Sequence, residues 1–196
     1  MSFDSVAKFE SEIAGFFGSS HAVAVDCCTH AIELCLRYVG TDTITVPKRT
    51  YVSVPMLAKK MNLGLKWKDE NWKDYYYIGE TNVIDAAVLW KEGSYIPQTF
   101  MCLSFQYRKH LSLGRGGIIL CDNEEAALRL KKMSYDGRDP QIPWREQNID
   151  CIGYHYYMTP ETASLGLEKL PDAINKEPRQ WEITDWPDLT TMDIFK

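Results

Sequence analysis

Four polar side chains stand where short apolar runs of strand length give way to a loop or helix. They are Thr29, Asp85, Ser104 and Lys109. In open α/β sheets, ligands collect beyond the carboxyl ends of strands, where helix N-termini offer free N–H groups to a phosphate. A hydroxyl, a carboxylate and an amine gathered at such an edge could bind an anion, pair with a protonated ring and attack a carbonyl.

The carboxylate of Asp85 is the most demanding of these groups to bury. It follows Val83-Ile84 and precedes Ala86-Ala87, at or near the end of an apolar strand. An unpaired buried charge is costly, and a pyridinium N–H would supply the missing partner. That pair would keep the ring nitrogen protonated, so that the ring accepts electrons from a substrate carbanion. Helix capping, or a pair with an arginine, is the alternative interpretation of so short a pattern.

Ser104 and Lys109 place a hydroxyl and an amine five residues apart at the end of another apolar run. Both could reach one ligand. A lysine whose pKa is lowered by its surroundings can attack an aldehyde and later move the proton on the α-carbon. The alternative is a surface lysine in a basic stretch, since Arg108 precedes it and His110 follows.

A third candidate site lies at the start of a predicted helix, where the sequence reads Cys27-Cys28-Thr29-His30. The backbone amides of this turn and the hydroxyl of Thr29 could hold phosphate oxygens. An ordinary helix N-cap at Thr29 explains the same residues without a ligand.

The elements that would position these residues alternate between helix and strand. Apolar side chains recur at helical spacing in residues 6–17, 31–38, 54–61 and 123–133. Short apolar or β-branched runs predict strands at residues 22–25, 43–46, 63–67, 82–86, 100–105 and 117–121. The first two strands and the helix between them are expected to form a βαβ unit. The pattern predicts an α/β fold with a mostly parallel sheet and helices on both faces.

Length and composition restrict the class of protein. The chain has 196 residues, 45% of them hydrophobic, which suits one globular domain. We expect a compact domain over residues 1–170, ending in a helix capped by Thr159, and a C-terminal tail over residues 171–196. A net charge of −5 without a long basic stripe argues against a nucleic-acid partner. No membrane-length apolar run or signal peptide is visible, so a cytoplasmic location and no membrane partner are expected. The six cysteines show no metal-ligand spacing and are expected to be free thiols.

In six stretches the sequence resembles the DegT/DnrJ/EryC1/StrS aminotransferases of fold type I, which depend on pyridoxal 5'-phosphate (PLP). The stretches occur in order along most of the chain. They are Phe9 to Gly18 with His21-Ala22-Val23, Thr29-x-Ala31-Ile32, Pro47-x-x-Thr50-Tyr51-Val52-Ser53, Ile84-Asp85-Ala86-Ala87, Leu103-Ser104-Phe105-x-x-x-Lys109 with Gly114-x-Gly116-Gly117, and Gly153-Tyr154-His155-Tyr156-x-Met158.

The resemblance implies roles for individual residues. Lys109 would carry PLP as a Schiff base and Asp85 would face the pyridine nitrogen. Thr29 and Ser104 would bind the cofactor phosphate together with the turn at Cys28, where the family has a glycine.

Two further cofactor contacts are implied by position. The ring of Tyr51 would stack on the cofactor face, with a core aromatic as the alternative interpretation. His155 would reach the phosphate of a neighbouring subunit, where the family has an asparagine; the alternative is a surface histidine in a loop.

The implied reaction is a two-stage transamination from an amino-acid donor, glutamate, to a carbonyl acceptor, a keto-sugar linked to a nucleotide. Shared sites imply a homodimer. The chain is about half the family's usual length, with a short stretch between Trp67 and Ile84 and a C-terminal small domain that is largely absent. Other PLP chemistry on another small molecule or modified base, or a noncatalytic assembly subunit, are the alternatives.

Overall fold

The computed structural model describes residues 3–196, and its elements alternate largely as the apolar pattern predicts. The helices are α1 (Asp4–Phe17), α2 (Cys28–Val39), α3 (Ser53–Met61), α4 (Glu124–Ser134) and α5 (Pro160–Ile174). The strands are β1 (His21–Val25), β2 (Thr43–Pro47), β3 (Gly64–Lys68), β4 (Tyr76–Tyr77), β5 (Val83–Asp85), β6 (Phe100–Ser104) and β7 (Gly117–Cys121).

Local chemistry sets the helix starts. Asn123 caps α4 by accepting a hydrogen bond from the Ala126 N–H, and two glutamates in the first turn complement the helix dipole. Thr159 caps α5 in the same way through the Thr162 N–H, with Pro160 at the first helical position, as predicted.

The main sheet has five strands in the order β1-β7-β6-β5-β4. Its α/β class agrees with the sequence prediction, but the sheet is mixed: β5 and β6 are parallel, whereas β7 runs antiparallel to both its neighbours. The reason is the connection from Phe105 to Gly116. It contains no helix, and a parallel neighbour requires a crossover, so the chain turns back beside β6.

Helices cover both faces of this sheet, and alternate strand residues point to opposite faces. In β6, Cys102 packs in the core under α2, α3 and α4, while Met101 and Leu103 pack in the core under α1 and α5. The same alternation holds in β7, where Ile119 faces the first core and Ile118 the second. The sheet is therefore buried on both sides.

Strands β2 and β3 form a separate two-stranded parallel sheet. The expected βαβ unit from β1 through α2 to β2 is therefore wrong, since β1 and β2 lie in different sheets. A backbone hydrogen bond of 2.7 Å from the Gly79 N–H to the Thr45 carbonyl joins the small sheet to the turn after β4.

The C-terminal segment folds back onto the small sheet. Helix α5 ends at Ile174 and so crosses the boundary that we placed after residue 170. Beyond it, the Leu189 N–H donates to the Lys48 carbonyl and the Phe195 ring packs against Trp67. Among residues 3–196, no helix has the length and apolar character needed to cross a bilayer.

Candidate functional site

The carboxyl ends of three strands meet at one edge of the main sheet. Val25 of β1 pairs with Gly117 of β7, which in turn pairs with Ser104 of β6. Asp85 of β5 pairs with Cys102, two residues before Ser104. Residues opposite each other in a sheet point to the same face, so Asp85 and Ser104 lie on the face that carries α2. The start of α2 follows β1 at this same edge.

Asp85 is buried, with 5% of its surface exposed, and each carboxylate oxygen accepts a hydrogen bond. Oδ2 accepts from the Tyr76 hydroxyl at 2.6 Å and Oδ1 from the Ala87 N–H at 3.0 Å. Burial raises the pKa of Asp85, while the two hydrogen bonds and the positive charge of Lys109 lower it in part. Each oxygen keeps a lone pair for a further donor.

Lys109 lies in the loop between β6 and β7. Backbone hydrogen bonds shape this loop, from Tyr107 to Gly114 and from Lys109 to Gln106, and Gly114 adopts a φ of +80° that suits glycine. Burial lowers the pKa of Lys109, and the nearby carboxylate of Asp85 opposes that shift. The two groups are therefore close enough to sense each other's charge.

The amine of Lys109 has an unusual environment. Within residues 3–196 its Nζ makes no hydrogen bond or ion pair, and it lies 4.7 Å from the centre of the Trp181 ring. Burial favours the neutral form of this amine, which is the form that attacks a carbonyl.

The start of α2 offers backbone donors. Its N-cap, Cys27, makes no side-chain capping hydrogen bond. The Thr29 hydroxyl lies 2.6 Å from that of Ser53. The Cys28 thiol is buried, donates to the Cys102 carbonyl at 3.5 Å and has a raised pKa because of burial. Cys28 can therefore offer a ligand only its backbone N–H, which is the group that a phosphate uses at a helix start.

Gly117 allows the sheet and this helix start to approach each other closely. A Cβ added at Gly117 would lie 2.4 Å from the Cys27 carbonyl carbon and 2.5 Å from the Cys28 nitrogen. Only a residue without a side chain fits between β7 and the turn, so this contact fixes where the α2 donors lie relative to the strand ends.

The remaining candidates differ in their surroundings. The Ser104 hydroxyl is partly exposed and accepts a long hydrogen bond of 3.4 Å from the Gln106 N–H. Tyr51 precedes α3 and is 55% exposed. The imidazole of His155 is 72% exposed, and its Nδ1 lies 3.1 Å from an Asp136 carboxylate oxygen. The structure thus gathers Asp85, Ser104, Lys109 and the α2 start at one edge and leaves the imidazole of His155 on the surface.

Sequence reasoning missed three side chains at this edge. Ser53 contacts Thr29, Tyr76 contacts Asp85, and Trp181 covers Lys109. The run Tyr75-Tyr76-Tyr77 is a β-prone signal that could have indicated β4. Trp181 had no such signal, because the tail lacks periodicity.

The residues at this edge fit a phosphorylated pyridine aldehyde such as PLP. In the described part of the chain, Lys109 supplies an amine without an ionic partner, and Asp85 supplies a buried carboxylate with free lone pairs. The uncapped start of α2 supplies N–H donors for a phosphate. The donor set therefore suits the three chemically distinct parts of the cofactor.

Comparison with known proteins indicates the same cofactor. The sequence model of the DegT/DnrJ/EryC1/StrS aminotransferase family matches residues 1–67 and 93–184. The unmatched segment 68–92 contains Asp85 and Tyr76. Structures of similar fold include AtS13 from Actinomadura melliaura, with a TM-score of 0.75 and 19% identity over 89% of this chain and 61% of that one.

Two curated relatives have sequence similarity over most of the chain. The spore coat polysaccharide biosynthesis protein SpsC of Bacillus subtilis is 24% identical over 91% of this chain and 59% of its own length. GDP-perosamine synthase of Caulobacter vibrioides is 21% identical over 84% of this chain and 56% of its own length. The chain thus spans less than two thirds of the length of these relatives. Since the family match covers most of its residues, the chain belongs to the DegT/DnrJ/EryC1/StrS family of PLP-dependent aminotransferases.

Proposed function

We propose that this chain binds PLP at the edge formed by β1, β5 and β6 and transfers an amino group from an amino acid, glutamate, to a nucleotide-linked keto-sugar. The observation that carries the proposal is that Lys109 and Asp85 lie at the same edge of the main sheet, Asp85 at the end of β5 and Lys109 in the loop that follows the neighbouring strand β6. Among residues 3–196 the Lys109 amine has no ionic contact, and the positive charge of Lys109 opposes the rise in the pKa of Asp85 that burial causes.

PLP, when bound, would act as an electron sink that stabilises a carbanion next to the transferred nitrogen. Lys109 would hold the cofactor covalently and, once displaced by the donor, move a proton on the α-carbon through Nζ. Asp85 would keep the ring nitrogen protonated, a role that its hydrogen-bonded, ionisable carboxylate suits.

Phosphate binding is proposed for the start of α2. The N–H groups of Cys28 and Thr29, the Thr29 hydroxyl and the Ser104 hydroxyl would donate to phosphate oxygens. The exposed ring of Tyr51 would cover one face of the cofactor, since it lies two residues before Ser53, which contacts Thr29.

The choice of substrate is supported by the relatives. GDP-perosamine synthase is named for a nucleotide-linked amino sugar, and SpsC for polysaccharide synthesis. Because the chain covers only part of their length, both the acceptor and the activity of the whole protein are proposals. We place the protein in the cytoplasm, where nucleotide-linked sugars and glutamate are available.

A homodimer is proposed as the active assembly. His155 supports it, since its side chain is exposed and its polar contact is with Asp136 rather than with the site of its own chain. In a symmetric pair it could donate to the phosphate bound by the partner.

The test is a visible absorption spectrum of the purified protein with PLP, followed by borohydride reduction and mapping of the labelled lysine. We expect an absorption band at a longer wavelength than that of free PLP, both in the wild type and in the control variant Lys91→Ala, which removes an exposed lysine elsewhere. Lys109→Ala should lose the band and the label. A label on another lysine would contradict the site, and no uptake at all would contradict the cofactor.

Amino-donor specificity is tested in a half-reaction. Added glutamate should convert the bound cofactor to its amine form, with loss of the visible band. If no amino acid produces this change, transamination is contradicted and a different PLP-dependent reaction becomes the proposed activity.

One observation favours a noncatalytic assembly role as the second candidate. The Trp181 ring lies over Lys109, where a cofactor would need to enter, and Arg179 packs 3.9 Å from the centre of the same ring. Under this alternative the borohydride label is absent from every lysine.

A further inference from the structure

A chain of three oxygen-bearing side chains runs through the buried region beside Asp85. The Thr50 hydroxyl lies 2.6 Å from the Tyr76 hydroxyl, which lies 2.6 Å from Asp85 Oδ2. The exposed fractions of Thr50, Tyr76 and Asp85 are 1%, 3% and 5%. Buried polar groups are costly unless they are paired, so these contacts constrain one another.

The direction of the hydrogen bonds follows from counting protons. A phenol has one proton, and the Tyr76 hydroxyl donates it to the acceptor-only carboxylate of Asp85. The Thr50 hydroxyl must therefore donate to the Tyr76 oxygen. A phenol that accepts one hydrogen bond becomes a stronger donor in the next, so Thr50 strengthens the contact between Tyr76 and Asp85.

The backbone holds Tyr76 in place. It pairs directly with Asp85 in the antiparallel register of β4 and β5, and the ring of Trp72 packs against its ring with centroids 5.0 Å apart. Trp72 is itself anchored by a hydrogen bond from its indole N–H to the Arg49 carbonyl. The phenol therefore approaches Asp85 in one defined orientation.

Strand β4 belongs to the segment 68–92 that the family's sequence model leaves unmatched. In this shortened region, β4 is the edge strand of the main sheet and lies next to β5. Tyr76 and Asp85 both lie in this unmatched segment, whereas Thr50 lies in the matched one, so the contact between Tyr76 and Asp85 is not predicted by the family match.

We propose that Tyr76 is a positioning residue that holds the Asp85 carboxylate toward the site through its hydroxyl, with Thr50 as the group that orients Tyr76. The proposal deepens the proposed function and rests on it for the role of Asp85 toward the cofactor. Tyr76 touches Asp85 rather than substrate and acts only through that carboxylate.

The first experiment uses the cofactor-free protein. Carbon-13 NMR of aspartate carboxyls, assigned with Asp85→Asn, follows the titration of Asp85 in the wild type and in Tyr76→Phe. Loss of a donor to the ionised form should increase the proton affinity of Asp85 about tenfold. Thr50→Val should also increase the proton affinity of Asp85, but by less. Thr50→Ser, which keeps the hydroxyl, should titrate like the wild type. An unchanged titration in Tyr76→Phe overturns the proposal.

The second experiment uses the PLP-loaded protein. In Tyr76→Phe the cofactor should dissociate about tenfold more readily, and the pH dependence of its absorption band should shift. The matched control is Tyr95→Phe, which removes a phenol that donates to the Thr99 carbonyl. Equal behaviour of the two variants contradicts the proposal, because a general packing effect would then explain both.

The two experiments separate this inference from the function on which it rests. If wild-type protein takes up no PLP, the proposed function fails, while the titration of Asp85 still decides whether Tyr76 controls the carboxylate. If PLP labels Lys109 but Tyr76→Phe changes neither readout, only the positioning role fails.

Discussion

Replacing Gly117 with alanine tests how the sheet fixes the proposed phosphate turn. The added Cβ would lie 2.4 Å from the Cys27 carbonyl carbon and 2.5 Å from the Cys28 nitrogen. Both are backbone atoms, so no side chain can rotate away. Restoring an ordinary contact of about 3.5 Å requires the turn or β7 to move by about 1 Å. Because Gly117 also pairs with Val25 and Ser104, that movement strains two strand pairs.

The expected loss in the free energy of unfolding is about 3 kcal/mol, the upper end of the range for overpacked sites. The displaced turn should also lose at least one charge-assisted hydrogen bond to phosphate, which weakens PLP binding by roughly tenfold. Urea denaturation measures the first effect and a PLP titration followed by absorbance measures the second.

Gly15→Ala is the matched control. Gly15 is exposed within α1 and a Cβ there meets nothing within 4 Å, so alanine should stabilise the helix by about 0.5–1 kcal/mol. If Gly117→Ala is as stable as the wild type, the close approach of β7 to the turn is refuted. If stability falls while PLP affinity stays the same, the phosphate is not held at the start of α2.

Three other predictions concern charge and the tail. Glu33 is fully buried, and two basic side chains outweigh that burial and lower its pKa. Its charge should therefore stabilise the fold above pH 4.5, the ordinary pKa, and this contribution should be lost as the pH falls through the lowered pKa. In Glu33→Gln the free energy of unfolding, measured with urea, should depend less on pH in this range. Burial opposes protonation of His30, but Asp26 and Cys27 together outweigh it and raise the pKa of His30 to about 9. The resulting stabilisation is complete below pH 6.5 and disappears as the pH rises through about 9; NMR of Asp26→Asn should show a lower pKa of His30, and an unchanged value would refute the ion pair. PLP should quench tryptophan fluorescence through Trp181, so Trp181→Phe should lose most of the quenching and Trp144→Phe, which alters a 72% exposed ring, should keep it.

The strand ends that carry the candidate site could be predicted because they follow from local pattern. Short apolar runs before Asp85 and Ser104 place these residues at element ends, and the ends of parallel strands share one edge. The structure agrees with that placement and with the helix that starts after Cys27. Periodicity alone was sufficient for this part of the fold.

Contacts that depend on the pairing of distant or very short elements could not be predicted in this way. Strand β4 has two residues, too few for a period, so nothing in the sequence indicates that Tyr76 pairs with Asp85. The strand direction of β7 depends on the conformation of a loop without a helix, and the position of Trp181 depends on how an aperiodic tail folds back. These features arise from tertiary packing.

The separation of β2 and β3 from the main sheet has a consequence for local unfolding. A sheet of two strands opens more readily than the larger sheet that it flanks, which amide hydrogen exchange detects. Thr50 follows β2 and its hydroxyl contacts Tyr76. Each opening of the small sheet would therefore break the contact between Thr50 and Tyr76 in the hydrogen-bond chain that reaches Asp85. Exchange at β2 amides should accordingly slow when a ligand binds to the Asp85 carboxylate.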